Sequence, residues 1–317
     1  MNYSDEQKYI IRACKDGSNV VVDAVAGSGK TTTLLGIATA CPEERILAIL
    51  FNRSLKEETR LRAQNLSLNL LEVHNYHALA RKYYDTTIQN DSGITKVLKL
   101  NSKPVRQLPQ WSRLVIDEVQ DMNPLYYRLI KKLIHDLNNP KLKLTVMGDR
   151  FQSIYAFLQA DARFLTHADQ IYNVNASPWV RASLSTTYRC SKTICAFVNE
   201  SLIGYNRLKP SSQATGFPVT YIYGSPFDAH RYLHKQILQF LDQGYNPDDI
   251  FILAPSVKMK MKDTPVKMLE NALVKSEIPV YVPSEDEIDI SHGAIPGVDA
   301  SCRLWSRLNG RTVNYAA

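Results

Sequence analysis

Residues 24–31 read Ala24-Val25-Ala26-Gly27-Ser28-Gly29-Lys30-Thr31 and follow the apolar run Val20-Val21-Val22. An apolar strand running into a Gly-rich turn that ends Gly-Lys-Thr and opens a helix is the sequence form of a loop that cradles phosphates. The glycines let successive N–H groups turn inward, and the start of the helix adds the positive end of its dipole. Ala26, Gly27, Ser28 and Gly29 would line the phosphate oxygens, with Thr32 in the helix turn that follows. Lys30 would reach the β- and γ-phosphates, and the Thr31 hydroxyl would ligate Mg²⁺. Ala24 stands where the generic pattern has its first glycine.

A second element supplies the complementary chemistry. Residues 113–121 read Arg-Leu-Val-Ile-Asp-Glu-Val-Gln-Asp, an apolar strand ending in two adjacent carboxylates. Such a strand is expected directly beside the strand of the loop, with Asp117 holding the Mg²⁺ shell and Glu118 polarising an attacking water. Alone, an acidic pair after a strand reads as a solvated turn. Together with the upstream Gly-Lys-Thr it implies a site for a nucleoside triphosphate with Mg²⁺.

The elements that must position these groups alternate along the chain. Ser4 to Asp16 reads as a helix with a Ser N-cap and Gly17 beyond its end. Strands are expected at 20–25, 45–51, 112–117 and 142–148, with helices at 30–40, 54–65, 75–84 and 124–137. This rhythm predicts an α/β fold, a parallel sheet covered on both faces. The polar stretch 85–110 reads as an insertion. After about residue 184 the pattern resumes, with helices at 191–204, 227–242 and 265–276 and strands at 218–223, 249–254 and 279–282. The expected domains are therefore 1–184 and 185–283, followed by an irregular tail at 284–317.

Composition excludes several classes. The 317 residues are 44% hydrophobic and 22% charged, ordinary for a globular protein. No run of about 18 apolar residues suggests a membrane span, and the acidic start Met1-Asn2-Tyr3-Ser4-Asp5-Glu6 is not that of a secretory signal. Five scattered cysteines without a C-x-x-C pair fit reduced thiols, so an intracellular setting, nucleus or cytoplasm, is expected. Lys plus Arg exceed Asp plus Glu by 38 − 31 = 7, an excess compatible with a polyanion partner. His230 and His234, four apart on an expected helix, lack a Glu or Cys partner and read as a solvated face rather than a zinc site.

Further motifs in fixed order give the chain its resemblance. The loop Ala24–Thr31 matches the form A-x-x-G-x-G-K-T and Asp117–Asp121 the form D-E-x-Q-D. Gly148-Asp149-Arg150-Phe151-Gln152-Ser153-Ile154-Tyr155-Ala156-Phe157 and Thr187-Tyr188-Arg189-Cys190-Ser191 follow, with Gln7 upstream. Together they resemble superfamily 1 DNA helicases of the UvrD/Rep type, nearest to the F-box DNA helicase branch. The resemblance covers roughly residues 4–283 and implies a P-loop NTPase with two RecA-like parallel-sheet domains.

That resemblance implies roles residue by residue. Gln7 would read the adenine edge, as its amide donor and acceptor suit. Tyr188 would stack on the base, and Arg189 would reach the γ-phosphate as a planar cation. Gln152 would touch the γ-phosphate and relay its loss. DNA would be met by Phe51, Asn52 and Arg53, by Asn75 and His77, and by Tyr155 and Phe157, whose rings offer stacking faces. Core packing is the favoured reading for Tyr76. The implied function is an ATP-dependent helicase or translocase on single-stranded DNA, 3′ to 5′, in repair, recombination or replication.

Two family motifs, T-x-H-x-x-K-G-L-E and V-A-x-T-R-A, have no counterpart after Glu285 beyond Ile290-Ser291-His292-Gly293. The second domain is accordingly expected to be truncated. One alternative reading is an ATP- and DNA-binding module with impaired hydrolysis; another is a P-loop enzyme on a small substrate.

Overall fold

Four short apolar runs build the centre of a sheet because each is buried on both faces, as parallel strands under two helical layers must be. The computed structural model describes residues 2–172, 174–212, 215–254, 264–280, 304–308 and 311–315. In chain order the first elements are α1 (Asp5–Lys15), β1 (Asn19–Ala24), α2 (Lys30–Ala40), β2 (Ile46–Ile49), α3 (Arg53–Asn65), β3 (Leu71–His74) and α4 (Tyr76–Tyr83). Next come α5 (Asp91–Lys99), β4 (Arg113–Ile116), α6 (Pro124–Leu137), β5 (Lys143–Gly148), α7 (Arg163–Thr166), α8 (Ala168–Ile171) and β6 (Trp179–Leu184). These six strands form one sheet in the order β3-β2-β4-β5-β1-β6. Every pairing in it is parallel.

The period-two alternation of the strands divides the core. Val20, Val22, Ile46, Ala48, Val115 and Met147 face α1, α2 and α3. Val21, Leu47, Ile49, Leu114, Ile116, Leu144 and Val146 face α4, α5, α6, α7 and α8. Each fully buried Leu, Ile or Val contributes about 1.5–3 kcal/mol, so these two layers hold the unit together.

Three features of the layout bear on the expectations, and the first corrects one. First, β4 does not lie beside β1; β5 runs between them, pairing Val20 with Thr145 on one side and Leu114 with Leu144 on the other. The strand carrying Asp149 therefore emerges between the loop and the acidic pair. Second, the expected insertion at 85–110 is packed into the unit, with Ile94 and Val97 of α5 and the nearby Leu108 in the larger core cluster. Third, the chain forms two compact units, Met1–Val219 and Thr220–Ala317.

Residues 185–219 stay with the first unit for identifiable reasons. The Glu6 carboxylate accepts hydrogen bonds from the Ser185 N–H at 2.9 Å and the Ser185 hydroxyl at 2.5 Å. The Tyr188 N–H donates to the Gly27 carbonyl at 2.9 Å. This stretch holds β7 (Thr186–Thr187), α9 (Lys192–Phe197), a π-helical turn (Val198–Ile203) and β8 (Lys209–Pro210), with β7 and β8 parallel.

The second unit contains α10 (Pro226–Asp242) and α11 (Pro265–Lys275), with a core of Ile237, Ile250, Leu269, Leu273, Ile278 and Val280. The strands expected at 218–223 and 249–254 are absent; a strand needs a ladder partner, and Tyr221 and Tyr223 are 87% and 93% exposed. Of the strand expected at 279–282, residues 279 and 280 are irregular and the rest lie outside the described residues. Of the tail, residues 284–303 also lie outside them. Its last part is not irregular but an antiparallel pair, β9 (Leu304–Leu308) and β10 (Arg311–Tyr315).

Candidate functional site

The loop after β1 turns as its glycines require. Gly27 and Gly29 have φ of +69° and +84°, and a Cβ on Gly27 would stand 2.6 Å from the Arg189 Cβ. Gly29 is the N-cap of α2 and offers no side chain, so the first turn of that helix keeps its positive end open. Ala26 and Gly27 are half-buried, and Ser28 is buried with no hydrogen-bond partner for its Oγ. The Thr32 hydroxyl accepts from Arg62 Nη2 at 3.2 Å.

Lys30 Nζ lies 3.1 Å from Glu118 Oε1. Burial works against the lysine's charge, but the carboxylates of Glu118, Asp117 and Asp149 outweigh it and hold its pKa above the ordinary lysine range. Burial likewise opposes the Glu118 charge, and Lys30 with the Gln120 amide holds that carboxyl below the ordinary range. Glu118 sits in the left-handed region, φ 51° and ψ 42°, unusual for a residue with a Cβ. The turn costs on the order of 1–2 kcal/mol and aims the carboxylate at the loop.

From Glu118 a line of hydrogen bonds runs to the loop after β5. Gln120 Nε2 donates to Glu118 Oε2 at 2.8 Å, and Gln120 Oε1 accepts from the Asp149 N–H at 2.9 Å. Gln152 Nε2 donates to Asp149 Oδ2 at 2.6 Å. Gln120 was not singled out from sequence, although its place between Glu118 and Asp121 was visible there. Asp121, beside it, is pushed up to about 8 by burial and then by the charge of Glu118.

The donor set fits Mg²⁺ with a phosphate ligand. Thr31 lies in the first turn of α2, Asp117 directly follows β4, and Mg²⁺ characteristically takes one or two protein oxygens with phosphate and water completing its octahedron. Among the described residues no group of three or more His, Cys, Asp or Glu could hold a metal by protein ligands alone.

Gln7 closes the start of α1. It is buried, and its Oε1 accepts from the Ser4 N–H at 3.0 Å while Ser4 Oγ accepts from the Gln7 N–H. The pair is the reciprocal box that Ser-x-x-Gln builds at a helix start. Its carbonyl holds this one hydrogen bond, and its amide nitrogen approaches Gly29. Tyr188 is 56% exposed beside the loop, and the Arg189 cation contributes to the field at Glu118.

The expected DNA residues separate into two groups. Phe51 and Tyr155 stack on each other at 5.9 Å and 24°, Tyr155 lies 6.0 Å from Phe157, and Phe157 is 71% exposed. Arg53 is also exposed. Asn52, Asn75 and His77 are buried. The side-chain oxygens of Asn52 and Asn75 cap α3 and α4, accepting from Leu55 and Ala78 N–H. His77 Nε2 lies 2.8 Å from Asp91 Oδ1, which also accepts from the Tyr126 hydroxyl. Tyr76 is a core residue as read, stacked on Tyr126 at 4.3 Å.

Sheet, loop and acidic pair together define a P-loop NTPase unit with a RecA-like sheet. Residues 94–173 match the UvrD/REP helicase N-terminal domain. A probable DNA helicase II homolog of Mycoplasma capricolum is 27% identical over 194 residues, 56% of this chain and 26% of that protein. The ATP-dependent DNA helicase PcrA of Staphylococcus epidermidis is 27% identical over 169 residues, 52% of this chain and 21% of that protein. A Pif1 helicase structure from Candida albicans is similar at 16% identity and a TM-score of 0.36, covering 58% of this chain and 40% of that one. Over part of its length the chain is thus similar to DNA helicases of the UvrD/Rep type, and it spans about a quarter of the length of the curated relatives it matches.

Proposed function

We propose that this chain binds ATP with Mg²⁺, hydrolyses it, and couples turnover to movement on single-stranded DNA. The observation that carries the reading is the hydrogen-bonded line from Glu118 through Gln120 and Asp149 to Gln152, five residues before the exposed Phe157. Lys30 takes the β- and γ-phosphates and in doing so leaves Glu118, whose carboxylate then orients and polarises the attacking water. Thr31 and Asp117 would hold Mg²⁺, which neutralises charge on the phosphates. Arg189, against the loop, serves the transition-state charge, and Tyr188 gives the base a face.

Gln152 senses the γ-phosphate and passes its loss to the Phe51, Tyr155 and Phe157 platform, on which successive bases stack. The UvrD/Rep likeness favours 3′ to 5′ polarity and a role in repair, recombination or replication. An enzyme acting on a small substrate has no use for an aromatic cluster with Phe157 71% exposed at that loop, which disfavours the P-loop alternative.

Coupling has a thermodynamic signature: ATP and DNA must change each other's affinity by one common factor. Fluorescence anisotropy of a labelled oligo(dT), with and without a nonhydrolysable ATP analogue and Mg²⁺, measures that factor. The reading expects a change of about 5-fold or more. Equal affinity in both conditions would defeat it.

A further inference from the structure

Arg207 lies outside every motif singled out in the sequence, yet only 7% of its side chain is exposed. Its guanidinium spans the ends of two strands. Nη2 donates to Asp23 Oδ1 at 2.7 Å, beside the phosphate loop, and Nη1 lies 2.8 Å from Asp149 Oδ1. Its guanidinium carbon lies over the Phe151 ring, 4.8 Å from the centroid. The other oxygen of Asp149 accepts from Gln152 Nε2 at 2.6 Å. One carboxylate thus stands between Arg207 and Gln152, and its position sets where the Gln152 carboxamide points.

The backbone of Arg207 is held as firmly as its head. Asn199 is buried, its Oδ1 accepting from the Arg207 and Leu208 N–H groups at 3.0 and 2.9 Å and its Nδ2 donating to the Leu208 carbonyl. Asn199 belongs to the π-helical turn that continues α9, and α9 begins at Lys192, three residues after Arg189. Wide turns of this kind recur at functional sites. A continuous path therefore leads from Arg189 through α9, Asn199 and Arg207 to Asp149 and Gln152.

We infer that Arg207 is a positioning residue: it holds the Asp149 carboxylate so that Gln152 and Arg189 report the state of the γ-phosphate together. A bidentate fork suits this task and a lysine does not, because a single ammonium cannot hold two carboxylates in fixed directions while lying over a ring. The inference rests on the coupling proposed above and deepens it.

The test compares wild type with Arg207→Gln and Arg207→Lys. Kd for the nonhydrolysable ATP analogue and for oligo(dT) are measured separately, and then the factor by which one changes the other. The Lys variant keeps a buried cation between Asp23 and Asp149, so it remains informative if the Gln variant fails to fold. The expected result is each separate Kd within about 3-fold of wild type, with the coupling factor falling toward 1 in Arg207→Gln and at least halfway, on a logarithmic scale, in Arg207→Lys. An unchanged coupling factor in folded variants overturns the inference. So does a parallel loss of ATP affinity in both, which would make Arg207 a strut and nothing more. Absence of coupling in wild type itself defeats the functional reading first, and the inference falls with it.

Discussion

Asp121→Asn provides a quantitative test of the acidic turn in the nucleotide-free protein. Asp121 is buried, one carboxyl oxygen has no hydrogen-bond partner and the other accepts from Gln120 Nε2 at 3.1 Å. Burial and the neighbouring Glu118 raise its pKa from 3.8 to about 8. A carboxyl raised on folding is charged in the unfolded chain and protonated in the folded one between those two values. Unfolding then releases a proton, so this group's contribution to stability falls as pH rises from about 4 to about 8 and levels off above. Asparagine reproduces the neutral acid and does not titrate.

The stability of Asp121→Asn relative to wild type should therefore grow by about 1.4 kcal/mol per pH unit across that window, or about 2–3 kcal/mol between about pH 5 and about pH 7. Every other titrating group is shared and cancels in the comparison. Urea unfolding followed by tryptophan fluorescence measures it, since Trp111 is buried in the same unit. A difference between the two proteins that stays constant with pH refutes the assignment of a protonated Asp121.

Three further substitutions probe separate parts of the structure. Gly27→Ala places a Cβ 2.6 Å from the Arg189 Cβ at a φ of +69°; it should cost about 1–3 kcal/mol and weaken ATP binding at least 10-fold by titration calorimetry. Arg113 is fully buried, pairing with Glu44 at 2.8 Å and donating to the Cys14 and Ser18 carbonyls. Arg113→Ala leaves Glu44 without that partner and should cost about 3–5 kcal/mol, read as a fall in Tm. Phe157→Ala should weaken oligo(dT) binding by about 1–3 kcal/mol in anisotropy titrations while leaving ATP affinity unchanged.

The central strands were legible because strands buried on both faces read as unbroken apolar runs, as Val20-Val21-Val22 and Leu114-Val115-Ile116 do. The edge strands β3 and β6 escaped notice. Leu71-Glu72-Val73-His74 and Trp179–Leu184 mix polar and apolar residues, since an edge strand need not be buried throughout. The passage of β5 between β1 and β4 is set by crossover packing, which no local pattern records. At the site, Lys30 and Glu118 were readable because phosphate chemistry dictates their types and spacing.

Asn52 and Asn75 each stand just before a helix, the position where Asn acts as a cap. Gln7 carried the same kind of signal, three residues after Ser4. Arg207 could not be found from sequence, because its two carboxylate partners lie 184 and 58 residues away by numbering, Asp23 from 207 − 23 and Asp149 from 207 − 149.

The measurement that tests the central claim most directly is steady-state ATP hydrolysis with Mg²⁺ across a titration of oligo(dT), in wild type, Lys30→Ala and Glu118→Gln. The account predicts turnover that rises with oligo(dT) and saturates. Lys30→Ala should lose both ATP binding and turnover. Glu118→Gln should bind ATP at least as tightly as wild type, because Lys30 loses its charged partner in the nucleotide-free state, yet turn over about 10²–10³-fold more slowly. Turnover indifferent to oligo(dT), or retained in Glu118→Gln, would contradict it.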